Sequence, residues 1–212
     1  EGVGSAATYP FGRGGFEVSK LEEATAKRYL PAAELSKLKS ATANNPQCEY
    51  ARKLFLFSYY CYGISFIDMA MLTAAHIKQM EDGDYIVYKR QKIKRQKGVK
   101  PISIKITPAI RQLIESLQAA SPTVDDFLLP VVTRSGYTGE RLYMHIRTRY
   151  SKYQKYLRLL AEELGIDFHL TSYVSRHKAA MTLQRNHIPR EVISQMLGHA
   201  DLETTNVYLD SF

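Results

Sequence analysis

The longest apolar stretch of the chain, from about Leu54 to Met71, limits the folds that the chain can adopt. Residues 49–62, EYARKLFLFSYYCY, have the composition of a strongly apolar helix. Gly63 is expected to end that helix, because glycine readily takes the left-handed conformation found after helix C-termini. The letters FIDMAML predict a second short helix. The intervening YGIS is therefore expected to be a tight corner between two buried helices.

The other periodic segments predict a mainly α-helical fold with a small antiparallel β-sheet. Residues 84–90 and 99–106 are expected to be strands, the second with alternating isoleucines, and the basic letters QKIKRQKG between them make a hairpin. Thr107 and Pro108 begin a helix with apolar residues on one face. A further helix is expected over 145–164. Three short helices close the chain, at 172–186, 189–197 and 201–209.

The chain is expected to form one domain behind a segment of different character. Its 212 residues, of which 45% are hydrophobic, suffice for one sizeable core. Residues 1–24 open with scattered glycines and lack a sustained apolar period, which predicts a linker or the remnant of an upstream domain. Residues 25–212 are expected to be the folded domain.

The charge of the chain favours a polyanionic partner. Lysines and arginines outnumber acidic residues by 29 to 21, which gives a net charge of +8. The basic residues cluster in 89–100, 147–158 and 176–190, and such surfaces are typical of nucleic-acid binding. Ordinary solubilising charge is the alternative that composition leaves open.

Cysteine usage and hydropathy argue against metal and membrane sites. Cys48 and Cys61 are the only cysteines and lack the spacing of a zinc site, so both are expected to be reduced thiols of a cytosolic protein. Ser, Gly and Asp interrupt the longest apolar stretch, and no signal peptide precedes it. No metal, cofactor or membrane partner is expected.

Polar side chains that suit phosphate chemistry lie near the end of the chain. Tyr173 and Arg176 are one turn apart on the same helix, so the hydroxyl and the guanidinium can point the same way. A planar guanidinium donates two parallel hydrogen bonds to two phosphate oxygens, which a lysine cannot do. A salt bridge from Arg176 to Glu162 or Glu163 is the alternative, and spacing leaves it open.

A second group of polar residues follows at a glycine corner. Gly198 ends one helix and lets His199 leave it, while Asp201 caps the helix that carries Tyr208. This arrangement brings an imidazole and a phenol toward one pocket. Alternatively, His199 is a structural histidine and Tyr208 is one of 15 tyrosines without a special role.

These motifs together resemble the C-terminal signature of the tyrosine recombinases, the phage integrase family. The matching residues are Arg176 with His177, Leu197 to His199, Thr204 with Thr205, and Tyr208. Upstream, YGISFIDMAML resembles the box-I corner of the family. The strand-hairpin-strand of 84–106 resembles its β-hairpin, in which a lysine near the tip corresponds to Lys92. Phrases such as YLDSF resemble integrases of mobile elements from Bacteroides-type bacteria.

The resemblance implies that the folded domain is the catalytic domain of a site-specific DNA recombinase, which cuts and rejoins DNA without metal or cofactor. Tyr208 would attack the scissile phosphate, form a 3′-phosphotyrosyl link and release a 5′-hydroxyl. Lys92 would protonate the leaving oxygen. Arg176 would clamp the phosphate oxygens, and His199 would bind the same oxygens or assist the phenol. Tyr173 takes the place of the His, Lys or Tyr that the family has three residues before its second arginine.

The first arginine of the family pattern is missing from this chain. When Asp68 is aligned with the box-I acidic residue, Ser65 falls where the arginine is expected. Arg52 lies about 15 Å along the preceding helix, at 1.5 Å per residue, and is a weak substitute. Arg90 or a residue of another domain is a further alternative. The chain could accordingly be a DNA-binding relative with weak or no cleavage. Asp68 itself is expected to orient the second arginine; as the alternative, it caps its own short helix.

DNA contacts are expected on both sides of these residues. The basic hairpin would place Lys94, Arg95 and Lys97 near phosphates, although charge runs are also common on solvated turns. Thr171 and Ser172 offer hydroxyls and the unpaired amides of a helix start. Within 145–164, basic residues alternate with tyrosines, which suits either a DNA backbone or a tyrosine-rich packing face.

The resemblance also predicts partners and location. The expected partner is double-stranded DNA, on which the full-length protein would act as a homotetramer. The chain by itself is expected to be a monomer that binds DNA weakly. The expected location is the bacterial cytoplasm, at the nucleoid.

Overall fold

The computed structural model describes residues 30–94, 98–199 and 202–210, apart from the side chains of residues 207 and 208. The expected linker over 1–24 lies outside the described residues. The helices are α1 (Ala32–Ser40), α2 (Pro46–Tyr60), α3 (Phe66–Ala70), α4 (Pro108–Ala120), α5 (Gly139–Glu163), α6 (Ser172–Arg185), α7 (Arg190–Leu197) and α8 (Leu202–Asp210). The strands are β1 (Ile77–Met80), β2 (Gly83–Tyr88) and β3 (Ile102–Lys105), which form an antiparallel sheet in the order β1-β2-β3. The prediction of a mainly α fold with a small antiparallel sheet is confirmed.

The apolar stretch forms the two helices and the corner that its pattern predicts. Helix α2 begins three residues before the predicted position 49, because the Asn45 side chain accepts a hydrogen bond from the Gln47 amide at 2.8 Å and caps the helix. The corner turns through Tyr62 and Gly63, whose φ angles of 55° and 75° are both left-handed. Ser65 then caps α3.

The sheet contains a strand that the sequence pattern did not predict. Three of the four residues of β1 are exposed, so the strand lacks the apolar alternation by which strands are recognised. Its pairing with β2 runs from Ile77 opposite Ile86 to Met80 opposite Gly83. Strand β3 begins at Ile102, three residues later than predicted, and pairs with β2 over its whole length.

Helix α2 is the central element of the core and packs against α4, α5 and α6. Helix α5 begins six residues before the predicted position 145. Its tyrosines pack on α3: the ring of Tyr153 stacks on Phe66 at 5.2 Å and that of Tyr150 lies at 5.3 Å from the same ring. Tyr153 is buried, as the packing interpretation predicts, whereas Tyr150 is 38% exposed and a contact of its ring with DNA stays a prediction.

A second, smaller core holds the last three helices together. It consists of the buried side chains of Ala180, Ile193, Leu197 and Leu209. Arg190 at the start of α7 donates to Asp210 at the end of α8 at 2.6 Å. The backbone of the helix that carries Tyr208 is thereby fixed against α7.

Two further predictions concern the state of the cysteines and the presence of membrane-spanning helices. Cys48 and Cys61 are both buried and unpaired, as predicted, and burial raises the pKa of the Cys61 thiol. In the part of the chain that the structure describes, no helix is both long and apolar enough to cross a bilayer.

Candidate active site

A cleft of about 690 Å³ lies among the α2–α3 corner, the turn after β2, helices α5 and α6, and the connection from α7 to α8. Its lining includes four side chains that the sequence singled out as catalytic, Lys92, Tyr173, Arg176 and His199. The structure thus brings together residues that are up to 107 positions apart in the chain. The fifth, Tyr208, lies on α8, and its side chain is outside the described residues.

Arg176 is held at the base of the cleft by two carbonyl groups. Its Nη1 donates to the carbonyl oxygen of Gly63 at 3.0 Å, and its Nη2 donates to that of Leu197. Only 7% of the residue is exposed. Both acceptors are neutral, so these hydrogen bonds orient the guanidinium and leave its positive charge in place. The alternative partner Glu163 instead accepts a hydrogen bond from the backbone amide of Asn44.

Gly63 is required by the close approach of α6 to the corner. A Cβ atom at this position would lie 2.4 Å from the Cα of Arg176 and 2.6 Å from its Cβ. The corner and α6 are also joined by a buried hydrogen bond of 2.8 Å between the hydroxyls of Ser58 and Ser175. The tight corner predicted from YGIS therefore places the carbonyl oxygen of Gly63 where the guanidinium of Arg176 can donate to it.

His199 leaves helix α7 at Gly198, as the sequence predicts. Gly198 has a φ of +63° and its successor donates a backbone hydrogen bond to Ser194 at 3.0 Å. The imidazole Nδ1 lies 2.7 Å from the hydroxyl of the fully buried Thr205. When that hydroxyl donates, the proton of the neutral ring is on Nε2, the nitrogen that can then donate to a phosphate oxygen.

The turn after β2 carries the predicted hairpin residues. Lys92 is exposed and lines the cleft. Lys94 is exposed and donates to the side chain of Gln91 at 2.6 Å. The predicted DNA contacts Arg95 and Lys97 lie outside the described residues.

Asp68 connects the corner to this turn. Its carboxylate accepts hydrogen bonds from the Ser65 hydroxyl at 2.6 Å and from the Gln91 amide at 2.7 Å. It also lies 3.9 Å from Nε of Arg90. The contact with Ser65 is the one that the alternative interpretation predicts, in which Asp68 bonds within its own short helix, and the cation beside its carboxylate is Arg90.

The two candidate substitutes for the missing arginine have different positions. Arg90 lines the cleft, and its Nη1 donates to the carbonyl oxygen of Gly198 at 2.9 Å. Arg52 donates instead to Glu49 and to the carbonyl of Leu38, each at 2.7 Å. Burial raises the pKa of Glu49, but the hydrogen bonds from Arg52 and a backbone amide outweigh it and hold that pKa below its ordinary value. Arg52 is thus a structural residue of α2.

The predicted phosphate-binding helix start is only partly available. Ser172 lines the cleft, but its backbone amide donates to Gln154 at 2.8 Å, and its hydroxyl lies 3.1 Å from that of Tyr150. The prediction that this amide is unpaired is wrong, because the neighbouring α5 caps it. Thr171 is the N-cap residue of α6 and makes no side-chain capping bond. Arg147, one of the basic residues that alternate with tyrosines within 145–164, also lines the cleft.

Comparison with known proteins places this arrangement in a family. The model of the phage integrase family matches residues 28–212. The chain belongs to the phage integrase family. The spacing of Arg176, His199 and Tyr208 predicts this family, and the prediction is confirmed. The likeness to integrases of Bacteroides-type elements stays a prediction.

Curated members of the family are similar over shorter segments. Tyrosine recombinase XerD of Halalkalibacterium halodurans is 41% identical over 54 residues, which are 26% of this chain and 18% of the relative. Tyrosine recombinase XerD of Brucella abortus is 30% identical over 121 residues, which are 54% of this chain and 36% of the relative. The matched parts thus span well under two-thirds of these family members.

Solved structures of integrase-family proteins share the fold. The crystal structure of XerA recombinase matches 85% of this chain with a TM-score of 0.59 and 22% identity, and 59% of that protein is covered. The Tn1549 transposon integrase in complex with a circular intermediate DNA matches 91% of this chain with a TM-score of 0.62 and 11% identity, and 65% of that protein is covered. At these identities the likeness establishes the integrase fold.

Proposed function

We propose that residues 25–212 are the catalytic domain of a site-specific tyrosine recombinase, which cuts and rejoins DNA strands through a 3′-phosphotyrosyl intermediate. The observation that carries the proposal is the convergence of Lys92, Arg176 and His199 in one cleft, next to the helix that bears Tyr208. Membership of the phage integrase family and the named activity of the XerD relatives support it.

The proposed reaction is a transesterification at phosphorus. The phenol oxygen of Tyr208 forms a bond to the scissile phosphorus, and the bond from phosphorus to the 5′ oxygen breaks. The phenol releases its proton to solvent, and Lys92 gives a proton to the 5′ oxygen and regains one from solvent, so the products are a phosphotyrosyl ester and a 5′-hydroxyl. Rejoining is the reverse reaction with a 5′-hydroxyl of the partner strand. The cycle consumes no cofactor and needs no metal.

The cleft residues would stabilise the charge that develops on the non-bridging oxygens. Arg176 is oriented by carbonyls before substrate arrives, and the Thr205 contact sets the ring of His199. Donors that are fixed in advance lower the barrier because they need no reorganisation, and each contributes about 3 kcal/mol. Tyr173 lies on the exposed rim of the cleft, edge-on to His177 at 4.3 Å between ring centroids, and would position α6 residues against the DNA.

Ser65 in the expected place of an arginine favours one alternative function, a DNA-binding relative with weak or no cleavage. The two functions make different predictions for covalent chemistry and the same prediction for DNA binding. Cleavage therefore decides between them.

The partner in the proposed function is double-stranded DNA, bound as a homotetramer by the full-length protein at the bacterial nucleoid. Lys94, Arg95 and Lys97 would contact phosphates beside the cleft. The DNA present in the Tn1549 integrase structure is consistent with such a partner, and with a mobile-element role. We expect the chain alone to be a monomer in light scattering and to bind DNA weakly, with an affinity that falls steeply with salt. A stable tetramer without DNA would contradict this part of the proposal.

The test is covalent trapping on a nicked duplex that releases a short fragment after cleavage, so that rejoining cannot occur. A pool of such duplexes with random sequence is incubated with the chain, and the DNA that stays attached after denaturation is recovered and amplified. We expect an adduct with the unchanged chain and none with Tyr208→Phe. Salt-sensitive binding of the duplex pool without any recoverable adduct would refute the recombinase proposal and support the DNA-binding relative.

A further inference from the structure

Two guanidinium groups meet at the end of helix α7. Arg176 donates to the carbonyl of Leu197, and Arg90 donates to that of Gly198 at 2.9 Å. These two carbonyls belong to consecutive residues, whose Cα atoms are about 3.8 Å apart. The last carbonyls of a helix carry partial negative charge, and cations are favourable there. One arginine arrives from α6 and the other from the end of β2, and His199 follows immediately.

The chain makes room for both arginines in the same way. A Cβ atom on Gly198 would lie 2.7 Å from Cδ of Arg90, just as one on Gly63 would collide with Arg176. Both glycines have a positive φ, at +63° and +75°. The aliphatic part of Arg90 thus packs closely against Gly198, where a side chain would also be strained by the left-handed φ.

Asp68 holds the other side of Arg90. Asp68 is 3% exposed, and its carboxylate lies 3.9 Å from Nε of Arg90 and accepts a hydrogen bond from the amide of Gln91, the next residue. The Ser65 hydroxyl donates to the same carboxylate. The side chain at the family's arginine position therefore fixes the acid that faces Arg90.

Arg90 keeps donors for a substrate. A guanidinium has five N–H donors, and the bond to Gly198 uses one of them. Within residues 30–94, 98–199 and 202–210, the buried Nε has no hydrogen-bond partner. The side chain is 17% exposed and lines the cleft. Because Nε is buried and faces the Asp68 carboxylate, the donors left for a phosphate oxygen are those of the two Nη groups.

We infer that Arg90 is a further catalytic residue, which takes the place of the missing first arginine by donating to a non-bridging oxygen of the scissile phosphate, and that Asp68 is its positioning residue. The inference rests on the proposed function. The guanidinium would then come from the strand end and not from the corner, and Arg90 and Arg176 together would supply the two arginines of the family pattern.

A purely structural role for Arg90, as a link between the turn after β2 and Gly198, is the competing explanation. Substrate charge separates the two roles. A duplex with a methylphosphonate at the cleavage site lacks the charge on one non-bridging oxygen, so a residue that neutralises this charge matters less there. A residue that only maintains the fold matters equally on both substrates.

The experiment compares adduct formation by the unchanged chain and by Arg90→Gln on the trapped duplex, and on the two methylphosphonate diastereomers assayed separately. We expect Arg90→Gln to slow the reaction about 10²–10³-fold on the phosphodiester, as removal of one transition-state donor does. On at least one diastereomer most of this difference should disappear. Arg111→Gln is the charge-matched control, because Arg111 is exposed and bonded to Asp84, and its rate should be unchanged.

A second variant tests the same point if the methylphosphonates react too slowly. Ser65 lines the cleft, so an arginine there can reach it. Adding Ser65→Arg to Arg90→Gln should restore part of the rate of adduct formation. A purely structural role of Arg90, as a link between the turn after β2 and Gly198, predicts no such recovery. An undiminished rate in Arg90→Gln would overturn the inference and leave the recombinase proposal intact. So would a loss that is independent of substrate charge and unrelieved by Ser65→Arg. Absence of adduct in the unchanged chain would instead overturn the recombinase proposal, and this inference with it.

Discussion

Replacing Gly63 with alanine adds only one methyl group, but it should strongly disrupt the contact between the corner and Arg176. The added Cβ would lie 2.4 Å from a backbone atom of Arg176, so a main-chain segment has to move. Overpacking of this kind costs about 1–3 kcal/mol. Alanine at a left-handed φ, here +75°, adds about 1–2 kcal/mol. The free energy of unfolding should therefore fall by about 2–5 kcal/mol.

Gly136→Ala is the matched control, because Gly136 has nearly the same φ, +71°, and no atom within 4 Å of an added Cβ. It should show only the conformational cost. The assay is urea unfolding of both variants, with adduct formation measured in parallel under conditions where both are folded. Gly63→Ala should also lose adduct, because its carbonyl orients Arg176. Equal stability of the two variants would refute the described packing of the corner on α6.

Two other predictions concern histidines. Thr205→Val removes the hydroxyl that contacts His199, and the loss of about 1 kcal/mol should make adduct formation roughly fivefold slower. Thr205→Ser keeps a hydroxyl and should retain most of the rate. Equal rates in the two variants would contradict the assigned contact. His145 accepts a hydrogen bond from the Thr133 amide, and burial, followed by nearby cations, lowers the pKa of its imidazole. Its contribution to stability is thus present above the ordinary pKa near 6.5 and is lost as pH falls through the lower folded value. NMR titration of His145 should give a midpoint below that of an unfolded peptide, and a midpoint at or above it would contradict the described environment.

Local signals explain why much of the helical framework could be predicted. A few neighbouring residues suffice to indicate the helix through Phe57, the helix start at Thr107–Pro108 and the helix end at Gly198. Strand β1 could not be found in this way, because its exposed residues are a strand only through pairing with β2. Edge strands are specified by their neighbour more than by their own pattern.

The site was predictable to the extent that its residues lie in short motifs. Arg176 and His199 belong to such motifs, and both line the cleft. The contact of Arg90 with Gly198 spans 108 positions and depends on how the sheet docks on α7, so the sequence could only name this arginine as one alternative among several basic residues. The capping of the Ser172 amide could not be predicted for the same reason, because the acceptor Gln154 lies 18 positions earlier on another helix.

The most direct test of the proposed activity is mass spectrometry of the trapped and proteolysed complex. We expect a single modified peptide that contains Tyr208, with a nucleotide joined to the phenol oxygen through its 3′ phosphate, and a free 5′-hydroxyl on the released strand. A nucleotide attached to any other residue, or cleavage that leaves no protein-bound nucleotide, would contradict the account.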